Sequence, residues 1–432
     1  MGNKIYLRGS NNTYCKASKF NTSVFSFNGS NIRCQGNIET LLDYAKVLSG
    51  IHPEMAKSCY YQMFYGCTNL IQAPELPATT LVDFCYQSMF SDCSSLTIAP
   101  KLPATMLTPS CYSNMFLKCS SLTTAPELPA TILASECYYH MFAACSSLAS
   151  APVLPATTLA YECYEGMFRS CTNLTIAPEL PATTLVEGCY SAMFMYCQKL
   201  TTAPVLPATI LADRCYINMF QNCTNLTIAP ALPVTTLANN CYNNMFYSCT
   251  KLSTIPVLPA TTLAEGCYND MFESCTKIKL STTQSDEYPN EYRIPSGTAT
   301  GTIATNALTN MFTSTGGTFT GTPSINTTYY TSNEIVYGLT IQVDDSEKDY
   351  IQILSDIPTS ITTNQTIRLR VRALGSRTTV SYSNTGGTSV TREFISSAED
   401  GSYNDYDLII SNPTDFDTIQ IKHSVLANPT PW

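Results

Sequence analysis

Apolar residues recur along most of this chain in pairs set four residues apart. From Cys59 the sequence reads Cys-Tyr-x-x-Met-Phe-x-x-Cys-x-x-Leu nine times at a step of 26 residues, with Ile278 replacing the last leucine. In the unit that begins at Cys163, the residues Leu159, Cys163, Met167 and Cys171 fall at steps of four, and Leu174 follows three later. Tyr164 and Phe168 widen that stripe on one side. The spacing predicts a short amphipathic helix, with Glu165, Gly166, Arg169 and Ser170 facing solvent.

The second half of each unit is different. Residues 175–185 carry Pro178 and Pro181, three apart, which a helix interior excludes and which push their predecessors towards extended geometry. A short strand over 174–177 followed by a proline-pinned turn is expected. A step that never slips means nearly identical units stacked on one another, the mark of a solenoid. Strands add at about 4.8 Å per rung and helices at about 8–10 Å, so an arc or twisted superhelix is expected, cored by ladders of Cys, Tyr, Met-Phe and Leu.

The eighteen repeat cysteines run from Cys59 to Cys267 and from Cys67 to Cys275. On a helix, Cys59 and Cys67 lie roughly 12 Å apart at about 1.5 Å per residue. A disulfide needs Cα atoms within about 7 Å, and neighbouring helices stand farther apart than that. The expectation is therefore unbridged thiols used as small buried apolar groups. The same spacing does not place two sulfurs on one tetrahedral metal ion.

Met-Phe-x-x-Cys-x-x-Leu-x-x-Ala-Pro-x-Leu-Pro resembles the BspA-type leucine-rich repeat of bacterial surface proteins. Its Ala-Pro-x-Leu-Pro-Ala-Thr form is similar to repeats of gut bacteria and their phages. The likeness covers roughly residues 55–280. It implies adhesion and protein or glycan binding, with no catalytic residues to carry over.

The expected fold is thus an α/β repeat solenoid, leucine-rich-repeat-like, with rungs of short helix plus short strand, followed by an all-β immunoglobulin-like sandwich. An N-terminal cap is expected over 1–58, nine rungs over 59–278, a C-terminal cap and linker over 279–330, and the sandwich over 331–432. Within the cap, a helix is expected to run through Leu48. Within the linker, 306–312 reads as a worn half-unit. In the last region, period-two alternation predicts strands over 335–343, 350–354, 366–374, 378–383, 392–396, 406–410 and 418–424.

Composition narrows the function. A net charge of −9 with no basic run argues against nucleic acid and anionic membrane surfaces, and no apolar stretch has spanning length. The first residues carry no apolar h-region, so no secretory signal is expected. The three histidines, His52, His140 and His423, are far apart in sequence. No phosphate loop, HExxH or nucleophile elbow occurs. No cofactor, metal or catalytic residue is expected.

What remains is surface. Glu75, Lys101, Glu127 and Glu179 share one repeat position that is apolar elsewhere, as at Val153 and Val205. Tyr61, Tyr65, Tyr139, Arg169 and Arg214 lie at or beside positions around the cysteines that vary from unit to unit. Such positions either drift as solvated sites or form a partner-binding face. The leading expectation is a non-enzymatic phage virion protein, a fibre or a capsid or tail decoration, that meets virion proteins or a host-surface protein or glycan, with a homo-oligomer among the arrangements left open. A bacterial surface adhesin is the second reading. A glycan-active enzyme, with Asp405 or Asp407 among its carboxylates, is the third.

Overall fold

A computed structural model describes residues 4–8, 25, 27 and 29–336, together with seven backbone strands between 341 and 424. The chain folds as two compact units, one built from 1–230, 234–254 and 258–333, the other from 231–233, 255–257 and 334–432.

The first unit is a stack of rungs, numbered here from the one led by Cys59. The expected apolar stripe is its core: Cys163, Met167, Phe168, Cys171 and Leu174 are fully buried, and Tyr164 nearly so. The expected helix is absent. Residues 160–171 instead form interlocked tight turns, in which the amides of Cys163, Glu165, Met167, Arg169 and Cys171 donate to the carbonyls three residues back, at 3.0–3.2 Å. Every fourth residue (Glu162, Gly166, Ser170) has a positive φ, +49° to +60°, which places it third in a type II-like turn. The same three positions have positive φ in all nine rungs.

This ribbon exposes half its amides along the stack, and the next rung receives them. The amides of Glu162, Tyr164, Gly166, Phe168 and Ser170 donate to Glu187, Cys189, Ser191, Met193 and Met195 at 2.7–3.1 Å. An α-helix satisfies its amides internally and offers none to a neighbour. Here the turn half pairs with the next rung as a strand would. Rungs therefore stand closer than helices: successive tyrosine rings from Tyr60 to Tyr268 are stacked with centroids 5.4–5.9 Å apart. A parallel phenylalanine stack from Phe64 continues to Phe312. The helical spacing behind the expected arc does not apply.

Nor does it keep the thiols apart. No two described cysteines are joined by a disulfide, for other reasons. Equivalent Cα–Cβ bonds in an in-register stack point the same way, a poor start for a dihedral of about 90° across S–S. The trailing thiols are also engaged: Cys93 Sγ donates to the Phe64 carbonyl of the preceding rung at 3.0 Å, and the pattern repeats to Cys275 and Phe246.

The proline half is more sparsely bonded. Single parallel bridges join rungs in two rows, such as Gln72–Ile98–Thr124 and Met106–Ile132–Thr158. Among the solenoid's rungs, described strands are confined to its ends, at Leu70–Gln72, Thr254–Pro256, Thr262–Leu263 and Leu280–Ser281. Proline has no amide to lend a ladder, so pairing cannot lengthen.

At the N-terminal end, a 3-10 turn Ile38–Leu41 and a helix Tyr44–Leu48 are capped by the side chains of Asn37 and Asp43. At the other end, 304–315 is a tenth turn ribbon: the amides of Gly266, Tyr268, Asp270, Phe272 and Ser274 donate into it. It is a complete ribbon, where a worn half-unit was expected. Ala307 and Thr315 stand at its cysteine places, 40 residues beyond Cys267 and Cys275. Asn333 then ties the exit to the stack, donating to the Ser253 and Lys277 carbonyls and accepting from the Lys279 amide.

In the second unit, one sheet runs in the order Ile341–Asp344, Thr418–Ser424, Arg377–Ser383, Ser389–Ile395, with only the first pair parallel. The other sheet places Gln365–Arg372 between Tyr350–Ile353 and Asn404–Ile410, all antiparallel. The side chains of Asp405, Asp407 and His423 lie outside the described residues.

Candidate functional site

The outward residues fall on two faces. On the proline half, exposed residues are mainly β-branched and uncharged: Ile98, Val153, Ile176 and Val205 are each 69–80% exposed. Glu75, Lys101, Glu127 and Glu179 stand exposed on this face. Only Lys101 and Glu127 are brought to one place, the lips of a shallow groove of about 320 Å³ floored by Leu102, Pro103, Pro126 and Pro129. Glu75 lies at the N-terminal end, its amide bonded to the Gly36 carbonyl. Glu179 stands between Val153 and Val205 in its row.

The turn half carries the charge. Tyr61 and Tyr65 lie in the first rung, away from the rest, with Tyr65 beside a small cavity next to Phe25 and Phe27. Tyr139, Arg169 and Arg214 belong to rungs four, five and seven; Arg169 acts on Tyr139 and, with Arg214, on Glu165 between them. Tyr139 stacks on His140 with ring centroids 4.2 Å apart. Arg214 is ion-paired with Glu187. Arg169 acts electrostatically on Tyr139, His140 and Glu165.

Glycines make room for this cluster. A Cβ on Gly166 would sit 2.2 Å from His140 Cδ2, and one on Gly188 would sit 2.8 Å from Glu162 Cγ. Each side chain folds over the glycine of the next rung at the same ribbon position. That is why Gly166, expected to face solvent, is buried. His140 is thereby half-buried, and burial followed by the Arg169 charge lowers its pKa to about 4. Burial, with the Glu162 and Glu136 charges adding to it, raises Glu165 to about 7 against the opposing arginines. The Tyr161 hydroxyl, hydrogen-bonded to Glu162, is raised to about 12.

Sequence reasoning identified three members of this cluster and missed His140, Glu136, Glu162, Glu165, Glu187 and Tyr161 as its members. The legible signal lay in columns. Glu136 and Glu162 hold the same repeat position in successive rungs, and glycines follow His140 and Glu162 by 26 residues.

The thiols are chemically quiet. Burial pushes Cys171, Cys223 and Cys275 up to about 12, so little thiolate forms at neutral pH. Among the described residues no group of His, Cys, Asp and Glu is arranged to hold a metal ion, and no helix is long and apolar enough to cross a membrane. His52 pairs with the buried carboxylate of Glu39 at 2.8 Å.

A family model described as BspA type leucine rich repeat region matches the chain in six copies, over residues 45–149, 110–227 and 190–289. No curated protein and no solved structure matches it.

Proposed function

We propose, from the premise that this chain belongs to the BspA-type leucine-rich-repeat family, that it is a non-enzymatic scaffold whose turn face binds a partner. Leucine-rich repeats are protein-interaction modules, and their family is generally without catalysis. The observation that carries the reading is a run of Tyr139, Arg169 and Arg214 along four successive rungs, linked through Glu165 and Glu187, on ribbons fixed by backbone bonds along the stack. Tyrosine and arginine dominate binding hot spots, and side chains already held by neighbours lose little entropy on docking.

More narrowly, we read the chain as a structural protein of a phage particle, a fibre or decoration that displays the solenoid for host-surface attachment or particle assembly. The Ala-Pro-x-Leu-Pro-Ala-Thr form of the repeat supports this reading. So does a strand-rich second unit, which we read as an immunoglobulin-like sandwich that joins the solenoid to the particle. Mass spectrometry of purified particles tests it: the chain is expected among the virion proteins, and its absence overturns the assignment. If surface protease instead strips the chain from intact bacteria, the adhesin reading replaces it. Competition tests the site itself. The isolated chain is expected to block particle attachment, and R169A/R214A to lose that effect.

A further inference from the structure

One outward position of the proline half does not vary. The threonine that closes each Leu-Pro-Ala-Thr segment recurs in eight units, from Thr79 to Thr261, and is exposed in every one. In the seventh unit the buried alanine before it becomes Val234, yet Thr235 stays. The exposed residue after it changes from Thr80 to Met106 and Ile132, and the one four before it from Glu75 to Lys101 and Val153. Copying of units alone would have kept all three columns alike.

The fold does not require threonine here. Extended backbone favours a β-branched residue, and isoleucine serves next door at Ile132 and Ile210. Of the eight hydroxyls, only that of Thr209 meets a described partner, the Thr183 carbonyl at a long 3.4 Å. Main-chain bonds hold the row instead: the amides of Thr131 and Thr209 donate to the Thr105 and Thr183 carbonyls at 3.2 and 2.9 Å. What is kept is an outward hydroxyl, repeated once per rung and set two residues after a proline of fixed φ. Beside it, Met106, Ile132 and Ile210 stand 54–60% exposed, apolar surface that a polar cover would shield from association.

We propose that these threonines are acceptor sites for an O-linked sugar. A transferase joins Oγ1 to the anomeric carbon of a sugar activated as its phosphate ester. The bond from that carbon to the phosphate oxygen breaks, the phosphate leaves with the electron pair, and the hydroxyl proton passes to a base of the transferase. Threonine set among prolines is the composition of O-glycosylated stalks, and here the stack holds that composition with every hydroxyl facing out. Sugar on this half covers its apolar residues and leaves the turn face open. The assignment does not depend on what the turn face binds.

The test is intact mass and fragment mapping of the full-length chain made in its native host. The mass is expected to exceed that of the sequence, 47.3 kDa, by whole sugar units mapped to the threonines of Leu-Pro-Ala-Thr. Thr80, Thr158 and Thr184, equally exposed one residue on, are expected bare. T183V should lose the sugar from its own peptide, and T183S should keep it. A chain of sequence mass overturns the proposal, and so does sugar spread evenly over both threonine columns. A T183V chain that unfolds at markedly lower urea would make the column structural and overturn it as well.

Discussion

The two halves of a rung meet the same demand, stacking on a neighbour, by different means. The turn half commits alternate amides to the next rung and holds every fourth residue at positive φ. The proline half makes one bridge per row and leaves isoleucine and valine in solvent. Rigidity and charge go together on the first. A face bonded at every second residue can hold polar side chains at fixed positions, so the cluster of Tyr139, His140, Glu165 and Arg169 lies there. The proline half contributes stiffness through restricted φ, which acts largely on the unfolded chain.

The largest effect expected from this contrast is in the aromatic stack. Phe168 is fully buried and touches rings on both sides, Phe142 at 5.8 Å and Phe194 at 5.9 Å. Phe168→Ala should cost about 3–5 kcal/mol, with loss of both stacked pairs. Urea unfolding measures it. A cost under about 1 kcal/mol would mean the turn half does not carry the stack.

Next in size is Gly166→Val. A β-branched residue at φ +57° is a backbone outlier, and its Cβ would collide with the His140 ring. About 2–4 kcal/mol is expected. Changing His140→Gly in the same chain should recover the steric part and leave the backbone part. Ala192 occupies the corresponding place in the next rung at φ +50°, so Gly166→Ala with His140→Gly should be nearly neutral. A double-mutant cycle without coupling would show that His140 does not rest on Gly166.

The two cysteine ladders should separate by about 1–2 kcal/mol. Cys145 Sγ donates to the Phe116 carbonyl at 3.1 Å, and Cys145→Ser keeps a donor there. Cys137 is in the leading ladder, whose place in the tenth ribbon is filled by Ala307. Cys137→Ser puts a hydroxyl where an alanine suffices, and should be the costlier of the two by the price of burying a polar group. Equal costs would mean the two ladders share one environment.

The contrast also explains what the sequence made legible. Inward positions were readable because they depend only on which residues alternate with which, whereas Gly166, read as outward, is covered by His140 of the preceding rung. The ribbon was not readable, since two steps of four residues drift only about 80° from a helical stripe at 3.6 residues per turn, too little over nine residues. The distinguishing signal lay at the positive-φ positions. Seventeen of those twenty-seven places in the nine rungs are Gly, Asn, Asp or Ser, including Asn218, Asn222, Asn240 and Asn244. These residues tolerate left-handed backbone or favour turns and disfavour a helix interior. Tyr139, Arg169 and Arg214 were readable as variable surface, whereas their partners were not, because stacking rather than chain neighbourhood brings Glu136 to Glu165. The Lys101–Glu127 groove was readable for the opposite reason: both hold one repeat position in adjacent rungs.

The smallest expected effect is the sharpest test of the proline half. Ile176 is 69% exposed and bridges Ser150 in its row, and Thr202 takes the same position one rung on. Ile176→Thr removes apolar surface that is already in water and keeps a β-branched residue suited to extended backbone. Its hydroxyl meets solvent and requires no partner. The change in stability should stay within about 0.5 kcal/mol. A loss of 2 kcal/mol or more would mean that this side chain is covered in the working molecule. The proline face would then be an interface too, and the turn face would lose its claim to be the single binding surface of the solenoid.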